Sequence, residues 1–289
     1  MLRVTVGQGS EDYASIQEAI DSVPYNVPSE ILVSEGIYEE RLFSDKRDLT
    51  LRGQGNVTVI SSHGGFEILD RGRKRGTFRS QTAFFSGNRL RLENLRIVNG
   101  MGPWHGQAIA LYLDVDDAIL EDVALESFQD TLFLAPLPDE EREANGFFGP
   151  RHLLPRKRCR TVLRRCMVSG TIDFIFGGGD ALFEDCQIVS RGSGFVAAPS
   201  GKKDWTGFVF HRSMFTGTGP SYLMRPWRPE GKTAFICCSF GGHIAPELLT
   251  PWPGREDEAC LASMALYQSG VPDNISLEEA SRLLSAFGQ

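Results

Sequence analysis

The chain has 289 residues, a formal net charge of −7, 41% hydrophobic residues and 23% charged residues. That balance is the one expected of a globular protein large enough for one big domain or two ordinary ones. It argues against nucleic acid as a general partner, and no apolar run approaches the roughly 20 residues of a membrane span, so no membrane role is expected.

The first residues, MLRVTVGQGSEDYASIQEAI, hold no basic segment followed by an apolar one. A cytoplasmic location is therefore expected, or secretion if a leader has been removed. Ser15 stands three residues before Glu18, a capping-box spacing that predicts a short amphipathic helix.

From residue 90 onward one template recurs: LRLENLRIVNG, AILEDVALES, TVLRRCMVSG, ALFEDCQIVS, FVFHRSMFTG and TAFICCSFGG. Its equivalent positions are Leu95, Val123, Cys166, Cys186, Ser213 and Cys238, at spacings of 28, 43, 20, 27 and 25 residues. The spacing of 43 fits two turns, or one turn with a large insertion. Several short strands per irregular period of this length predict an all-β, single-stranded solenoid, a parallel β-helix, in which each coil stacks about 4.8 Å from the next. Ordinary hairpins would need tight turns and alternating direction. Cys166 and Cys186 should then be vertical neighbours, close enough for a disulfide, and the missing export signal favours stacked thiols. Near the C-terminus, Ser276 and Glu279 repeat the capping box. Helices at both ends are expected to cap the open coil stack. No composition break divides residues 1–289, which read as one domain.

The stretch SGTIDFIFGGGD (169–180) places a carboxylate, Asp173, inside a buried-looking strand that ends in Gly177, Gly178 and Gly179. Strand alternation puts Ile172, Phe174 and Phe176 on one face and Asp173 on the other. Gln107 and Gln129 lie 22 residues apart, one period. With residues 136–160 as a side loop, Asp173 sits one coil beyond Asp130, and Arg225 two coils further. Two amides, two carboxylates and a guanidinium then converge on one face. One difficulty stands: adjacent Gln129 and Asp130 would point to opposite faces of a regular strand, so the backbone must bend there.

The segments GQAIAL, SFQDTLF, GTIDFIFG and MRPW, in this order, resemble the four signature motifs of the pectin methylesterases. EGIYEE, FRSQTAFF and NGMGPWHGQ are similar to further family segments, and the likeness covers about residues 1–245. Met224 departs from the pattern, standing where the family usually has Gly. Residues 246–289 read as a divergent lid. The resemblance implies a right-handed parallel β-helix that hydrolyses methyl esters of pectin or oligogalacturonides, releasing methanol. By it, Asp173 is the nucleophile that forms an acyl intermediate, Asp130 the general acid and then base, and Gln107 and Gln129 the oxyanion donors. Arg225 would hold Asp173 ionised, and the two carboxylates would push Asp130 upward. It further implies substrate contacts from Thr82, Phe176, Arg225, Gln107 and Trp227, the tryptophan stacking on a sugar ring. The three glycines would let that sugar lie close to the backbone.

No cofactor or metal is expected: the five histidines are scattered, with no HExxH or CxxC pair, and no GxSxG elbow suggests a serine triad. A monomer is expected. Of two basic runs, RHLLPRKRCRTVLRR (151–165) with seven Arg or Lys and RGRKRGTFR (71–79) with five, one or both are read as lining the cleft against galacturonate carboxylates, or else as solvated loops. The competing readings are a lyase or glycosidase on the same coil stack and a non-catalytic carbohydrate-binding β-helix. A lyase would want a calcium-binding carboxylate cluster, and a glycosidase acids without paired glutamines.

Overall fold

The structure, a computed structural model, describes residues 1–259 and 261–288. Among the described residues it is all-β, with short helices only at Ile16–Ser22, Glu256–Ala259 and Leu277–Ser285 and a few 3-10 turns. Among the described residues the long strands all pair in parallel and fall into three ladders, with one antiparallel bridge, Ile68 to Lys74, in a loop. The first runs from Leu2–Val6 through Ser29–Val33, Leu49–Arg52, Leu90–Glu93, Ala118–Glu121, Thr161–Arg164, Ala181–Glu184, Phe208–His211 and Thr233–Ile236 to Met264–Tyr267. The second includes Arg96–Val98, Ala124–Glu126, Met167–Ser169, Gln187–Ser190 and Met214–Gly217. The third includes Leu42–Ser44, Ala83–Phe85, Leu111–Leu113, Leu132–Leu134, Ile175–Gly177 and Ala197–Pro199. The chain visits the ladders in the order first, second, third, and then begins the next turn. The spacing of 43 residues is one turn carrying an insertion, because Thr161–Arg164 pairs directly with Ala118–Glu121.

The repeated template corresponds to the corner between the first and second ladders. The residue before each equivalent position is left-handed: Asn94, Asp122, Arg165, Asp185, Arg212 and Cys237 all have φ between 49° and 55°. Asn and Asp tolerate that conformation, which accounts for the polar position in the template. Stacked corner residues also pair by charge, Arg165 with Asp122 at 2.9 Å and Arg212 with Asp185 at 2.8 Å. Inside the first ladder, the in-register Phe183, Phe210 and Phe235 form a stack with centroids 4.5 and 5.0 Å apart. Cys166 and Cys186 occupy neighbouring turns as buried free thiols.

The N-terminal helix buries Ile16, Ala19 and Ile20 in the same core as Val6 and Val33. The C-terminal helix corrects an expectation: it does not close the end of the stack. It packs Ala280, Leu283 and Leu284 against Leu182, Val209, Ala234 and Ile236 on the outward side of the first ladder. Those outward residues are apolar over three successive turns, and the helix removes them from water.

Candidate active site

The candidate site is built on the third ladder. Ala108 N–H donates to the Gln129 carbonyl at 3.0 Å, and Asp130 N–H donates to the Ile172 carbonyl at 3.0 Å. Gln129 itself bridges Ile172 in parallel. Gln107, Gln129 with Asp130, and Asp173 therefore occupy three successive turns, and residues 136–160 form a side loop. Arg225 lies two turns further, where its N–H donates to the Ala197 carbonyl at 2.8 Å and Ala197 pairs with Ile175. All five residues line one cleft of about 470 Å³.

Left-handed backbone resolves the alternation problem. Asp130 has φ 61° and Asp173 has φ 48°. Each bend lets neighbouring residues face the same side, so Gln129 and Asp130 both reach the cleft. The bend at Asp173 also corrects the expected strand faces. Phe174 and Ile175 both enter the core, while Asp173 and Phe176 both line the cleft, and the pairing register shifts between Ile172 and Ile175.

Arg225 grips Asp173 with two parallel hydrogen bonds, Nε to Oδ1 at 3.1 Å and Nη2 to Oδ2. Its guanidinium is sandwiched between the rings of Phe195, 3.5 Å away, and Trp252, 3.7 Å away. Phe195 belongs to the turn between Asp173 and Arg225, so the arginine reaches across it flat against an aromatic face. The carboxyls differ in environment. Burial, followed by the charge of Asp173, pushes Asp130 well above the ordinary carboxylate range. Burial also raises Asp173, but the charge and hydrogen bonds of Arg225 pull against it. The site thus separates Asp130, a carboxyl pushed strongly upward, from Asp173, whose rise is restrained by Arg225.

One wall of the cleft is aromatic. Trp227 stacks on Phe78 with centroids 6.4 Å apart and meets Phe147 and Phe176 edge-on at 5.8 and 5.9 Å. The rim beside it is cationic, with Arg228 over the Trp227 ring at 5.0 Å. Arg142, Arg228 and Arg255 line the cleft together, with Glu258 pairing Arg142 at 2.5 Å and Arg255 at 3.8 Å. Burial and the two neighbouring arginines bring Arg228 down to about 10.

Four expectations change. The 151–165 run does not line the cleft. Arg158 pairs with Asp180, Arg160 with Asp116 and Asp117, Arg164 with Glu121 and Glu184, and Arg165 with Asp122, so its charge neutralises the acids of adjacent turns. From the 71–79 run only Thr77 and Phe78 reach the cleft. Thr82 is fully buried, its hydroxyl donating to the Val98 carbonyl at 2.9 Å and meeting the Ser61 hydroxyl at 2.8 Å, and it does not line the cleft. The three glycines serve packing between turns: a Cβ on Gly177, Gly178 or Gly179 would lie 2.0, 2.8 or 2.6 Å from the carbonyls of Leu134, Pro136 and Ala135.

Sequence reasoning missed Phe195, Trp252, Arg142, Arg228 and Arg255. Arg228 follows directly on the Arg-Pro-Trp motif, and Trp252 sits between two prolines, a signal for a held aromatic. Arg142 carried no signal at all.

The sequence model of the Pectinesterase family matches residues 3–137 and 152–273. The chain belongs to the pectinesterase family. It is accordingly a carboxylic ester hydrolase. The match extends past residue 245 and so includes Trp252 and Arg255, whereas the side loop that carries Arg142 and Phe147 falls in its gap. Pectinesterase 31 of Arabidopsis thaliana is 31% identical over 287 residues, covering 93% of this chain and 83% of the relative. Probable pectinesterase/pectinesterase inhibitor 23 of the same plant is 29% identical over 87% of this chain, which spans only 43% of that longer protein. A crystal structure of a pectin methylesterase in complex with a hexasaccharide has a TM-score of 0.78 at 23% identity, covering 98% of this chain and 95% of that one. This chain shares its fold.

Proposed function

We propose that the protein is a pectin methylesterase, hydrolysing methyl esters of polygalacturonate or oligogalacturonides to methanol through an aspartyl acyl-enzyme. The observation that carries this reading is the pair Asp130 and Asp173 on successive turns of one cleft, with Arg225 bidentate on Asp173. Asp173 attacks the ester carbonyl, forming a C–O bond and a tetrahedral oxyanion. The amides of Gln107 and Gln129 donate to that oxyanion, each such donor being worth about 3 kcal/mol of barrier. As the intermediate collapses, the bond to methoxide breaks and Asp130 supplies the proton that makes methanol. Asp130, now a carboxylate, takes a proton from water. The hydroxide attacks the acyl carbonyl and Asp173 departs as the anion. The raised carboxyl of Asp130 suits the first role, and the Arg225 clamp suits Asp173 for the second.

The three in-phase ladders support a right-handed parallel β-helix forming one domain over residues 1–289. The hexasaccharide complex of the structurally similar esterase supports an oligosaccharide lying in the cleft. In this reading Trp227 and Phe176 meet a pyranose face, and Arg142, Arg228 and Arg255 meet the free carboxylates of neighbouring sugars. Methanol release from methyl-esterified pectin tests the proposal: the wild type should release it, and Asp173→Ala should lose the activity. An Asp173→Ala variant with wild-type rates removes the nucleophile assignment.

A further inference from the structure

Residues 64–76 form a β-hairpin beside the cleft, closed by Leu69 N–H to the Arg73 carbonyl at 2.8 Å, Arg75 N–H to the Glu67 carbonyl at 2.7 Å and Gly76 N–H to the Gly65 carbonyl at 2.9 Å. It is strung directly onto the segment that delivers Gln107. Gly65 N–H donates to the Gln107 carbonyl at 2.7 Å, and Phe66 N–H to the His105 carbonyl at 3.0 Å. Thr77, next after the hairpin, lines the cleft. This hairpin therefore adjoins the cleft at its Gln107 end.

Its outer face has an unusual make-up. Phe66 is 52% exposed, Ile68 61% and the adjoining Trp104 88%, a cluster of large apolar side chains in water. Lys74 lies over the Phe66 ring at 4.9 Å. Arg71 and Arg73 at the tip are exposed and form no ion pair among the described residues, while Arg75 is taken by Glu67. Nothing in the core requires these aromatics to be outside, and isolated cations on a loop would not need aromatic neighbours. Aromatic faces beside unneutralised cations fit a polymer whose rings have apolar C–H faces and whose edges carry carboxylates.

We propose that the hairpin surface formed by Phe66, Trp104, Arg71, Arg73 and Lys74 is an accessory binding site for the acidic polysaccharide chain where it leaves the cleft at the Gln107 end. The inference rests on the proposed substrate class but concerns residues remote from the reacting atoms. It makes long chains better substrates than short ones, because only a chain that extends beyond the Gln107 end of the cleft meets the hairpin. Its electrostatic part is screened by salt.

Two variants of the full chain test it: Trp104→Ala, and the double variant Arg73→Glu with Lys74→Glu. All three side chains are exposed, so folding should be unaffected. Methanol release is measured on a methyl-esterified trigalacturonide and on methyl-esterified polymer. Binding of fully de-esterified polygalacturonate, which cannot react, is measured by calorimetry at low and high salt. On the trimer both variants should match the wild type. On the polymer KM should rise at least about fivefold with kcat unchanged, and polygalacturonate binding should weaken by a similar factor, the least expected for losing one exposed contact. For the charge variant the loss should shrink at high salt. Unchanged KM on polymer and unchanged binding overturn the proposal, as does an equal loss on trimer and polymer. Self-association that Trp104→Ala abolishes, with polymer kinetics unchanged, also overturns it by making the patch a contact between copies. If no substrate yields methanol while polygalacturonate binding still depends on Trp104, the esterase reading fails and the accessory site stands.

Discussion

The guanidinium of Arg225 lies 3.7 Å from the ring of Trp252, on the side opposite Phe195, while both its forks engage Asp173. Asp173, the proposed nucleophile, is thus positioned by an arginine that is itself positioned by two aromatic planes. A desolvated cation–π contact is worth up to about 2 kcal/mol. Trp252→Ala should lower kcat about tenfold with little change in KM, and Trp252→Phe should restore most of the loss. Steady-state kinetics on a methylated trimer check this; an effect on KM alone would make Trp252 a substrate contact.

Arg158 and Arg228 should behave oppositely, although both belong to basic stretches. Arg158 pairs with the buried Asp180, so Arg158→Glu leaves a buried carboxylate facing a like charge. It should destabilise the fold by roughly 3 kcal/mol and leave KM unchanged. Arg228 faces the cleft, and Arg228→Ala should raise KM about fivefold on partly de-esterified polymer while leaving stability nearly intact. Urea unfolding and polymer kinetics, run on both variants, separate the two effects.

Acid–base behaviour should follow Asp130. Its proton is held more tightly in the folded protein than in the unfolded chain, chiefly through burial. Its contribution to stability is therefore fully present below the unfolded value of about 3.9 and is lost as pH rises through the folded one. Asp130→Asn should flatten that decline of Tm with pH, while lowering kcat/KM by a factor of at least about a hundred. The wild-type kcat/KM should fall on the alkaline side as the acid loses its proton. Melting curves across pH and a pH–rate profile test both statements.

Gly177 has φ 124°, and a Cβ there would lie 2.0 Å from the Leu134 carbonyl oxygen of the turn below. Gly177→Ala should cost on the order of 3 kcal/mol of stability through backbone displacement, read as a lower urea midpoint. A Gly192→Ala control should be nearly neutral, since its Cβ would make only an ordinary 3.5 Å contact with the Thr171 methyl.

The stacking was legible because coil equivalence repeats in sequence: the template positions, the polar left-handed corners and the spacing of Gln107 and Gln129 all encode register. The convergence of the five polar residues followed from that register. Strand alternation misled at Asp173 because it assumes extended backbone, and φ 48° breaks the period locally. The basic run 151–165 misled because charge counts do not show the acids stacked beside it on adjacent turns, such as Asp122 and Asp180. Thr82 sits within a family-like segment, but whether it faces cleft or core depends on the hydroxyl network with Ser61 and Val98, which no spacing reveals. Trp252 and Arg142 come from loops with no repeat, and their places depend on how those loops fold back over the third ladder.

The most direct test is a crystal structure of Asp173→Ala bound to a methyl-esterified oligogalacturonide. An ester carbon facing the vacated position, its carbonyl oxygen between the amides of Gln107 and Gln129 and its methoxy group toward Asp130, is the predicted result. A sugar chain bound elsewhere, or an ester turned away from residues 130 and 173, would contradict the account.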